Sequence, residues 1–381
     1  MFFTRDREAL LVERPNRFVI IARDSASGEL LTCHCPNPGR LLEFVFPGMP
    51  LILEKRGDNP AAKTRWTAAA VRYGDSIVPL FSSRANGAAE QLILKHIIPG
   101  LVSVRPEFRV GDSRFDFLCE DSRRRRHLVE VKSCSLVAHG TAMFPDAPSE
   151  RAIKHLRELA ALRGEGYTGH VLFVVNHGSP SRFIPNLHTS PAFASELSRL
   201  SGTVRVHAAL VHCTGEGEAV LVDPALPVDL SFGALAAQNR GSYLVIFRFD
   251  EDQRIQVGAL GEVDFPRGWY AYAGSAQKNL SQRLARHLRR TRKNKHWHVD
   301  YLIPFSTGKI TALPVMTARN EECRLAAMCR DNGGKTLWPG KRIGASDCSC
   351  ASHLLWFPEN PLRSRGFVDD FLRFRHAWLR A

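Results

Sequence analysis

The stretch RFDFLCEDSRRRRHLVEVKS, residues 114–133, restricts the fold more than any other part of the chain. Two runs rich in Phe, Val and Leu flank a charged turn, and each has a carboxylate near its middle. Asp116 lies in the first and Glu130 in the second, with Lys132 two residues later. Side chains alternate faces along a strand, so Phe115 and Phe117 share one face of theirs, as Val129 and Val131 do of theirs. Asp116, Glu130 and Lys132 are left for the opposite face. Closing the hairpin about DSRRRR so that opposed residue numbers total 246 sets Asp116 directly across from Glu130. Two carboxylates at that separation repel unless a cation lies between them. Mg²⁺ accepts one or two carboxylates together with waters and phosphate oxygens, and Mn²⁺ can substitute. Lys132 on the same face is placed to orient a water or to stabilise charge building on phosphorus. The pattern suits hydrolysis of a phosphodiester.

The surroundings supply a setting for that hairpin. Residues 1–82 alternate apolar runs with Gly, Pro, Asn and Asp: RFVIIARD, ELLTCHC, LLEFVFPGMPLILEKR and TAAAVRYGDSIVPLFSS. They read as a small β-barrel, with an OB-like fold as the leading candidate. NGAAEQLILKHIIP then has a helical period in Leu92, Ile93, Leu94, Ile97 and Ile98, and stops at Pro99. Three strands follow: LVSVRPEFRV, RFDFLCE and HLVEVKSCSLV. The next helix has Ser149 as its N-cap, Ile153, Leu156, Leu159, Ala160 and Leu162 at helical spacing, and Gly164 as a stop. HVLFVVN suits a buried strand, and a helix at about 191–200 and a strand at about 204–213 complete an α/β block with a mixed sheet.

In this order Asp116, Glu130 and Lys132 resemble the PD-(D/E)xK nuclease pattern. The upstream helix adds Glu90, where many members of that superfamily carry an acidic residue. More narrowly, CHCPNPGRL, SRFDFLCE, LVEVKSCSLV and AMFPDAPSERAIKHLREL together resemble the sugar fermentation stimulation protein A family over about residues 10–230. The resemblance implies an OB-like domain (1–82), a PD-(D/E)xK restriction-endonuclease-like domain (83–230) and nucleic-acid binding. Pro38 and Arg40-Leu41 depart from the usual Thr and Ser-Met of that loop. FPDAPSERAIKH either brings Arg151, Lys154 and His155 toward the carboxylates or leaves them on a solvated helix face.

SFGALAAQNR (231–240) reads as a linker. Beyond it, GSYLVIF and RGWYAYAGSA are strands, and a helix at about 277–290 has Leu280, Leu284 and Leu288 for burial, with Arg283 and His287 on a neighbouring stripe. Tyr243, Tyr272, Arg283 and a carboxylate together suit phosphodiester chemistry. GSY, YAG and Arg283 resemble the GIY-YIG endonuclease superfamily. FPRGWYAYAGSA, HWHVDYL and GASDCSCASHL are more closely similar to a GIY-YIG-related domain family of unknown function, over about 241–357. The resemblance implies a metal-binding glutamate near NEECRLA, and Glu322 is preferred over Glu321. Ser242 and Ala273 stand at Ile positions as packing changes. Residues 358–381 read as a tail with an amphipathic helix of no assigned role.

Charge bears on the partner. Residues 241–381 hold 23 Lys and Arg against 13 Asp and Glu, a net of +10, while residues 1–240 hold 29 against 25, a net of +4. A basic C-terminal third favours a polyanion, since phosphate contacts release counterions, although solubility alone is a competing explanation. Arg151, Lys154, His287, Arg289, Arg290, Arg292, Lys293 and Lys295 are the candidate nucleic-acid contacts, with Trp297 available for stacking. Arg123 to Arg126 form an exposed turn or a further phosphate contact. Nine cysteines scattered from Cys33 to Cys350 do not form a secreted disulfide framework. Cys348, Cys350 and His353, with Cys323 and His298 as further candidates, offer zinc ligands, but C-x-C departs from the usual C-x2-C spacing and a structural loop is the competing reading.

The N-terminus is charged where a signal peptide is apolar, and no run approaches the roughly 18 apolar residues of a membrane span, so a cytoplasmic location away from membranes is expected. The expectation is a multidomain α/β and α+β chain: an OB-like barrel, a PD-(D/E)xK mixed sheet and a GIY-YIG-like α/β domain. Its partner is DNA or RNA and its cofactor Mg²⁺ or Mn²⁺, bound by Asp116, Glu130 and Glu322. The alternative is a DNA-binding regulator that keeps nuclease folds without cleaving. A homodimer is left open.

Overall fold

The computed structural model describes residues 1–57, 63–111, 113–291 and 294–377. The chain divides into two units, Met1–Gly233 and Ala234–Ala381.

The first unit begins with β1 (Arg7–Asn16), β2 (Val19–Asp24), β3 (Leu30–His34), β4 (Pro50–Lys55), β5 (Trp66–Tyr73) and β6 (Ser76–Pro79). They lie in the order β3-β2-β1-β4-β5-β6, and a parallel β3–β5 pairing closes five of them into an OB-type barrel. Period-two alternation builds the interior: Ala9 and Leu11, Ile20 and Ala22, Leu31 and Cys33 turn inward. The CHC run is part of this packing, since Cys33 and Cys35 are both buried in the barrel core.

A helical stretch follows: α1 (Ala85–Ala88), a π-helical turn at Ala89–Ile93, and α2 (Leu94–Ile97). The sequence pattern anticipates one uninterrupted helix there. Next come β7 (Leu101–Val110), β8 (Ser113–Asp121), β9 (Arg126–Cys134), β10 (Val137–Ala138), β11 (Thr141–Phe144), α3 (Glu150–Ala161), β12 (Tyr167–Val175), β13 (Arg182–Pro185), α4 (Pro191–Leu200), β14 (Arg205–Cys213) and β15 (Ala219–Asp223). The main sheet runs β15-β14-β12-β9-β8-β7, with β9, β12 and β14 parallel and the outer pairs antiparallel. A small second sheet joins β10, β11 and β13.

Both faces of the main sheet are buried. Phe117, Val129, Val131, Leu172 and Val174 meet the α1–α2 stretch on one face, and Leu118, Leu128, Val171, Phe173 and Val175 meet α3 and α4 on the other. This is why β12 reads as an unbroken apolar run. The Phe173 ring stacks on Phe183 at 4.1 Å between centroids, and burying a ring of that size contributes about 1.5–3 kcal/mol. Ser149 caps α3 as anticipated, its hydroxyl accepting the Ala152 N–H at 3.2 Å.

The second unit begins within α5 (Gly233–Ala237), a short helix in the stretch read as a linker. It continues through β16 (Gly241–Phe249), β17 (Gln253–Gln256), β18 (Glu262–Phe265), β19 (Gly268–Ala276), α6 (Leu280–His287), α7 (His298–Leu302), β20 (Thr307–Met316), α8 (Glu322–Asp331), β21 (Leu354–Phe357) and α9 (Arg365–His376). An antiparallel sheet, β20-β16-β19-β21, packs against α8, and Phe247, Phe249, Phe265, Tyr270 and Trp338 fill one end. The tail expected to have no role is part of this fold. Phe367, Val368, Phe371 and Leu372 of α9 are buried, α9 packs on α8, and Arg375 donates two hydrogen bonds to the Pro314 carbonyl at 3.0 and 2.8 Å. Among the described residues no helix is long and apolar enough to cross a membrane.

Candidate functional site

The β8–β9 ladder pairs Phe117 with Val129, Leu118 with Leu128, Cys119 with His127 and Glu120 with Arg126, which is the register set by a total of 246. The ladder ends one step short of Asp116 and Glu130. There Asp116 substitutes for a ladder carbonyl: its Oδ2 accepts the Val131 N–H at 2.7 Å, while Asn86 of α1 donates to Oδ1 at 2.8 Å. On β7, opposite Asp116, Glu107 has a left-handed φ of 55°, and the β7–β8 ladder skips the same step. Phe115 therefore leaves the face of Phe117 and packs with the α3-side core, its ring 6.1 Å from that of His155.

Glu130 is the most closely held group. Its Oε1 accepts from Lys132 Nζ and from His155 Nδ1, the latter at 2.5 Å. Its Oε2 is buried and has no hydrogen-bond partner among the described residues. Burial alone would raise the Glu130 pKa, but the His155 bond and the Lys132 charge hold it below the usual carboxylate range. Asp116 moves the other way: burial and the neighbouring Glu130 charge raise it, against the pull of the Val131 N–H, Asn86 and Lys132. An orphaned anionic oxygen beside a carboxyl whose pKa is raised by burial and by that neighbour's charge fits a divalent cation, which would satisfy the one and offset the other.

The cleft around this pair has a volume of about 550 Å³, within the range of ligand sites. Arg17 of the barrel, Arg151 of α3 and the segment 143–149 line it. The barrel loop approaches closely because residue 39 is glycine: a Cβ there would lie 2.0 Å from Asp146 Oδ2. Arg14 ties the loop down through the Arg40 and Asn37 carbonyls at 2.9 and 3.0 Å. Beneath it burial, and next the Asp146 charge, push Glu43 up to about 8.

Several expected contacts fall elsewhere. Glu90 is exposed and does not line the cleft, and Asn86, one turn earlier, holds Asp116 instead. Lys154 points outward and pairs with Glu158 at 3.5 Å, so α3 divides between the two readings: Arg151 lines the cleft, buried His155 reaches Glu130, and Lys154 faces solvent. In the Arg123–Arg126 turn, Arg125 pairs with Asp121 at 2.6 Å and Arg126 lies over the Tyr167 ring.

The second unit has a pocket of about 360 Å³ lined by Tyr243, Tyr272, Arg283, Glu322, Ser346 and Asp347, among others. Tyr243 pairs across the sheet with Gly274, and a Cβ at 274 would come within 2.6 Å of the phenol oxygen, so only glycine leaves the ring its place. The Tyr243 phenol and His287 Nε2 are 2.8 Å apart, and His287 Nδ1 is 3.0 Å from Asp300 Oδ1. If Nδ1–H donates to the carboxylate, Nε2 accepts from the phenol. Burial raises the pKa of both Tyr243 and Tyr272 well above the usual phenol value.

His287 is thus fully buried between Tyr243 and Asp300 and not a surface contact to nucleic acid. Arg290 donates to the Ser306 and Gly308 carbonyls, tying down the start of β20, while Arg289 is exposed and Lys295 lies 5.1 Å from the Tyr301 ring centroid. Arg292 and Lys293 lie outside the described residues. Leu288 follows the last residue of α6 and is exposed instead of buried. Glu321 pairs with Arg324 at 3.0 Å and leaves the pocket to Glu322. Ser242 is more than a packing change, since its hydroxyl accepts the Glu321 N–H at 2.9 Å just ahead of α8. Trp297 does not stand free for stacking on a base: Arg283 and Arg286 lie over its ring at 4.4 and 3.6 Å. Sequence reasoning missed Asn86, Asp146 and Asp300. The last two sit inside motifs already singled out, FPDAP and HWHVDYL, as the acidic residue of each.

Fold and site together define the class: an OB-type barrel joined to a restriction-endonuclease-like domain, followed by a further α/β domain. Comparison with known proteins agrees. Residues 12–80 match the SfsA N-terminal OB domain, 83–217 the sugar fermentation stimulation protein RE domain, and 242–371 a domain of unknown function, DUF123. A sugar fermentation stimulation protein homologue of Desulfitobacterium hafniense is 36% identical over 197 residues, covering 52% of this chain and 85% of that one. One from Pyrobaculum neutrophilum is 35% identical over 205 residues, covering 53% and 86%. The solved structure of Pyrococcus furiosus SfsA in complex with Ca²⁺ superposes with a TM-score of 0.52 at 29% identity, covering 60% of this chain and 99% of that one. The chain belongs to the sugar fermentation stimulation protein (SfsA) family.

Proposed function

We propose that the first unit is a divalent-cation-dependent nuclease of the PD-(D/E)xK kind, acting on the phosphodiester backbone of DNA or RNA. The observation that carries this is Glu130: one oxygen held by Lys132 and His155, the other buried without a partner, beside Asp116 in an open cleft. The Ca²⁺ named with the Pyrococcus furiosus relative supports a hard divalent cation as the ligand of this chain. Held by Asp116 and Glu130, Mg²⁺ or Mn²⁺ would supply Lewis-acid stabilisation of a phosphate oxygen. Asn86 fixes the Asp116 rotamer, His155 fixes that of Glu130, and Lys132 orients the attacking water or steadies charge on phosphorus. Arg17 and Arg151 at the walls meet the backbone of the nucleic acid. The second pocket, with Tyr243, Tyr272, Arg283 and Glu322, fits a second phosphodiester site of the GIY-YIG kind in which His287 receives the phenol proton.

The test is cleavage of labelled single- and double-stranded DNA and RNA by the full chain with Mg²⁺, with Mn²⁺ and with EDTA. Cleavage that needs the cation is expected. Salt-dependent binding without cleavage of any substrate would reject the nuclease in favour of a regulator.

A second measurement follows from the opposed pKa shifts. Without a cation, the raised pKa of Asp116 makes its contribution to stability present at low pH and lost as pH rises through that raised value. A bound cation reverses this, because it needs both carboxylates ionised. Ca²⁺ or Mg²⁺ should therefore raise the Tm, by the equivalent of about 2.7 kcal/mol at a hundred times its Kd. The rise should shrink as pH falls into the carboxylate range. Thermal scans with cation or EDTA at stepped pH read this directly, and a shift of equal size in Asp116→Asn would refute it.

A further inference from the structure

The second unit holds a cluster that neither pocket uses. Cys323 lies in the first turn of α8, and Cys348, Cys350 and His353 come from the loop that leads into β21. Their three Sγ atoms and a ring nitrogen all lie within 4.8 Å of one another, and Cys348 Sγ is 3.4 Å from His353 Nε2. In a tetrahedral zinc site with Zn–S of about 2.3 Å and Zn–N of about 2.0 Å, neighbouring donor atoms are separated by about 3.5–3.8 Å. The cluster has the ligand number and type for that geometry and needs only a small contraction to reach it. His298 is not part of it, since its Nδ1 accepts the Gly344 N–H at 2.8 Å.

The other cysteines behave differently. Cys33, Cys35, Cys119, Cys134 and Cys329 are buried singly or in apolar cores, and Cys213 is half-buried in the first unit. Only Cys323, Cys348 and Cys350 converge, and they do so from segments 25 or more residues apart in sequence. Each of these segments also carries residues of the neighbouring pocket. Glu322 immediately precedes Cys323, while Gly344, Ser346 and Asp347 come from the loop. His353 connects the loop to the sheet: its N–H donates to the Ile343 carbonyl at 2.8 Å, and its carbonyl accepts the Ala273 N–H at 2.9 Å. A Cβ on Gly344 would lie 2.7 Å from the Tyr272 ring, so the loop passes directly over that phenol.

We propose that Cys323, Cys348, Cys350 and His353 bind one zinc ion, a closed structural site that clamps the first turn of α8, with Glu322, to the loop over Tyr272. With four protein ligands the ion has no open position for substrate. Its role is to hold the pocket wall, and it stands whether or not either pocket cleaves. The C-x-C spacing that argued against zinc in the sequence is accommodated because the loop is not helical and the fourth ligand arrives from α8.

The test uses the full chain purified under reducing conditions without added chelator. Elemental analysis is expected to find about one zinc per chain. Cys348→Ser with Cys350→Ser should remove it, while Cys213→Ser should retain it. Since the double variant could lose zinc by misfolding, the wild-type protein is also stripped and reloaded with Co²⁺. Thiolate-to-cobalt charge-transfer bands and intense tetrahedral ligand-field bands are then expected. Stripping should also speed amide exchange in residues 343–353 and the first turn of α8. Zinc retained in the double variant, no thiolate band with Co²⁺, or a disulfide among these three cysteines in the reduced preparation would each overturn the proposal.

Discussion

Glu130→Ala is expected to lower cation-dependent cleavage by about a hundredfold or more, while leaving salt-dependent binding of nucleic acid within a few-fold of wild type. The asymmetry follows from what Glu130 touches. One oxygen is held by Lys132 and His155 and the other is buried without a hydrogen-bond partner, so loss of the carboxylate would remove the proposed cation site and set Lys132 and His155 loose together. Under the proposed function, binding would rest instead on cations at the walls, Arg17 and Arg151 among them, which the substitution does not touch. Glu130→Gln separates charge from shape. It keeps the volume and one acceptor but not the charge, and should lose nearly as much activity with a smaller fall in Tm. Asp116→Asn should match it. His155→Ala should cost less, about tenfold to a hundredfold, because that ring positions a ligand and does not meet the cation. Wild-type rates in Glu130→Gln, with activity lost in Tyr272→Phe, would move the chemistry to the second unit.

The parts legible in the sequence were those that depend on period and parity. Alternation alone placed Asp116 against Glu130 and gave the register of the ladder beside them, because a one-residue slip would have turned Val129 and Val131 to the wrong face. The barrel was legible for the same reason. What failed depended on local geometry that period does not encode. Glu90 was the acidic residue of the right helix, but a π turn begins at Ala89, Glu90 faces out, and Asn86 makes the contact. Phe115 was assigned by parity to the face of Phe117, but the ladder breaks at Asp116 and frees it to pack against α3. His287 looked like one more cation in a basic run. Only the fold shows Asp300 behind it and Tyr243 before it, contributed by elements 13 and 44 residues away. Cys323 and His298 were both further candidates beside the C-x-C pair, and spacing rules could not choose between them; the fold brings only the Cys323 thiol within 4.8 Å of the Cys348, Cys350 and His353 donors.

Asp300 supports the second expected effect. Its side chain is fully buried and organises one wall of the second pocket. Oδ1 faces His287 Nδ1 at 3.0 Å, and Oδ2 accepts the His296 and Trp297 N–H groups at 3.1 and 3.0 Å, with Arg286 at 3.7 Å. Asp300→Ala leaves those donors buried or half-buried without their acceptor, at a cost of about 1–3 kcal/mol for each buried group left unpaired. Asp300→Asn should cost less but more than a surface change, since its amide can replace one oxygen and turns a donor toward other donors. Tryptophan fluorescence can report the loss in this unit, because Trp66 is the single tryptophan of residues 1–233 while Trp297 sits 5.7 Å from the His287 ring. An unfolding midpoint within about 0.5 kcal/mol of wild type for Asp300→Ala would mean that the carboxylate is not the anchor. The imidazole that faces the Tyr243 phenol would then not owe its orientation to Asp300. A large loss in Asp300→Ala, with Asp300→Asn intermediate, would show that the fold holds this imidazole in a set orientation, which proton transfer from a phenol whose pKa is raised by burial would require.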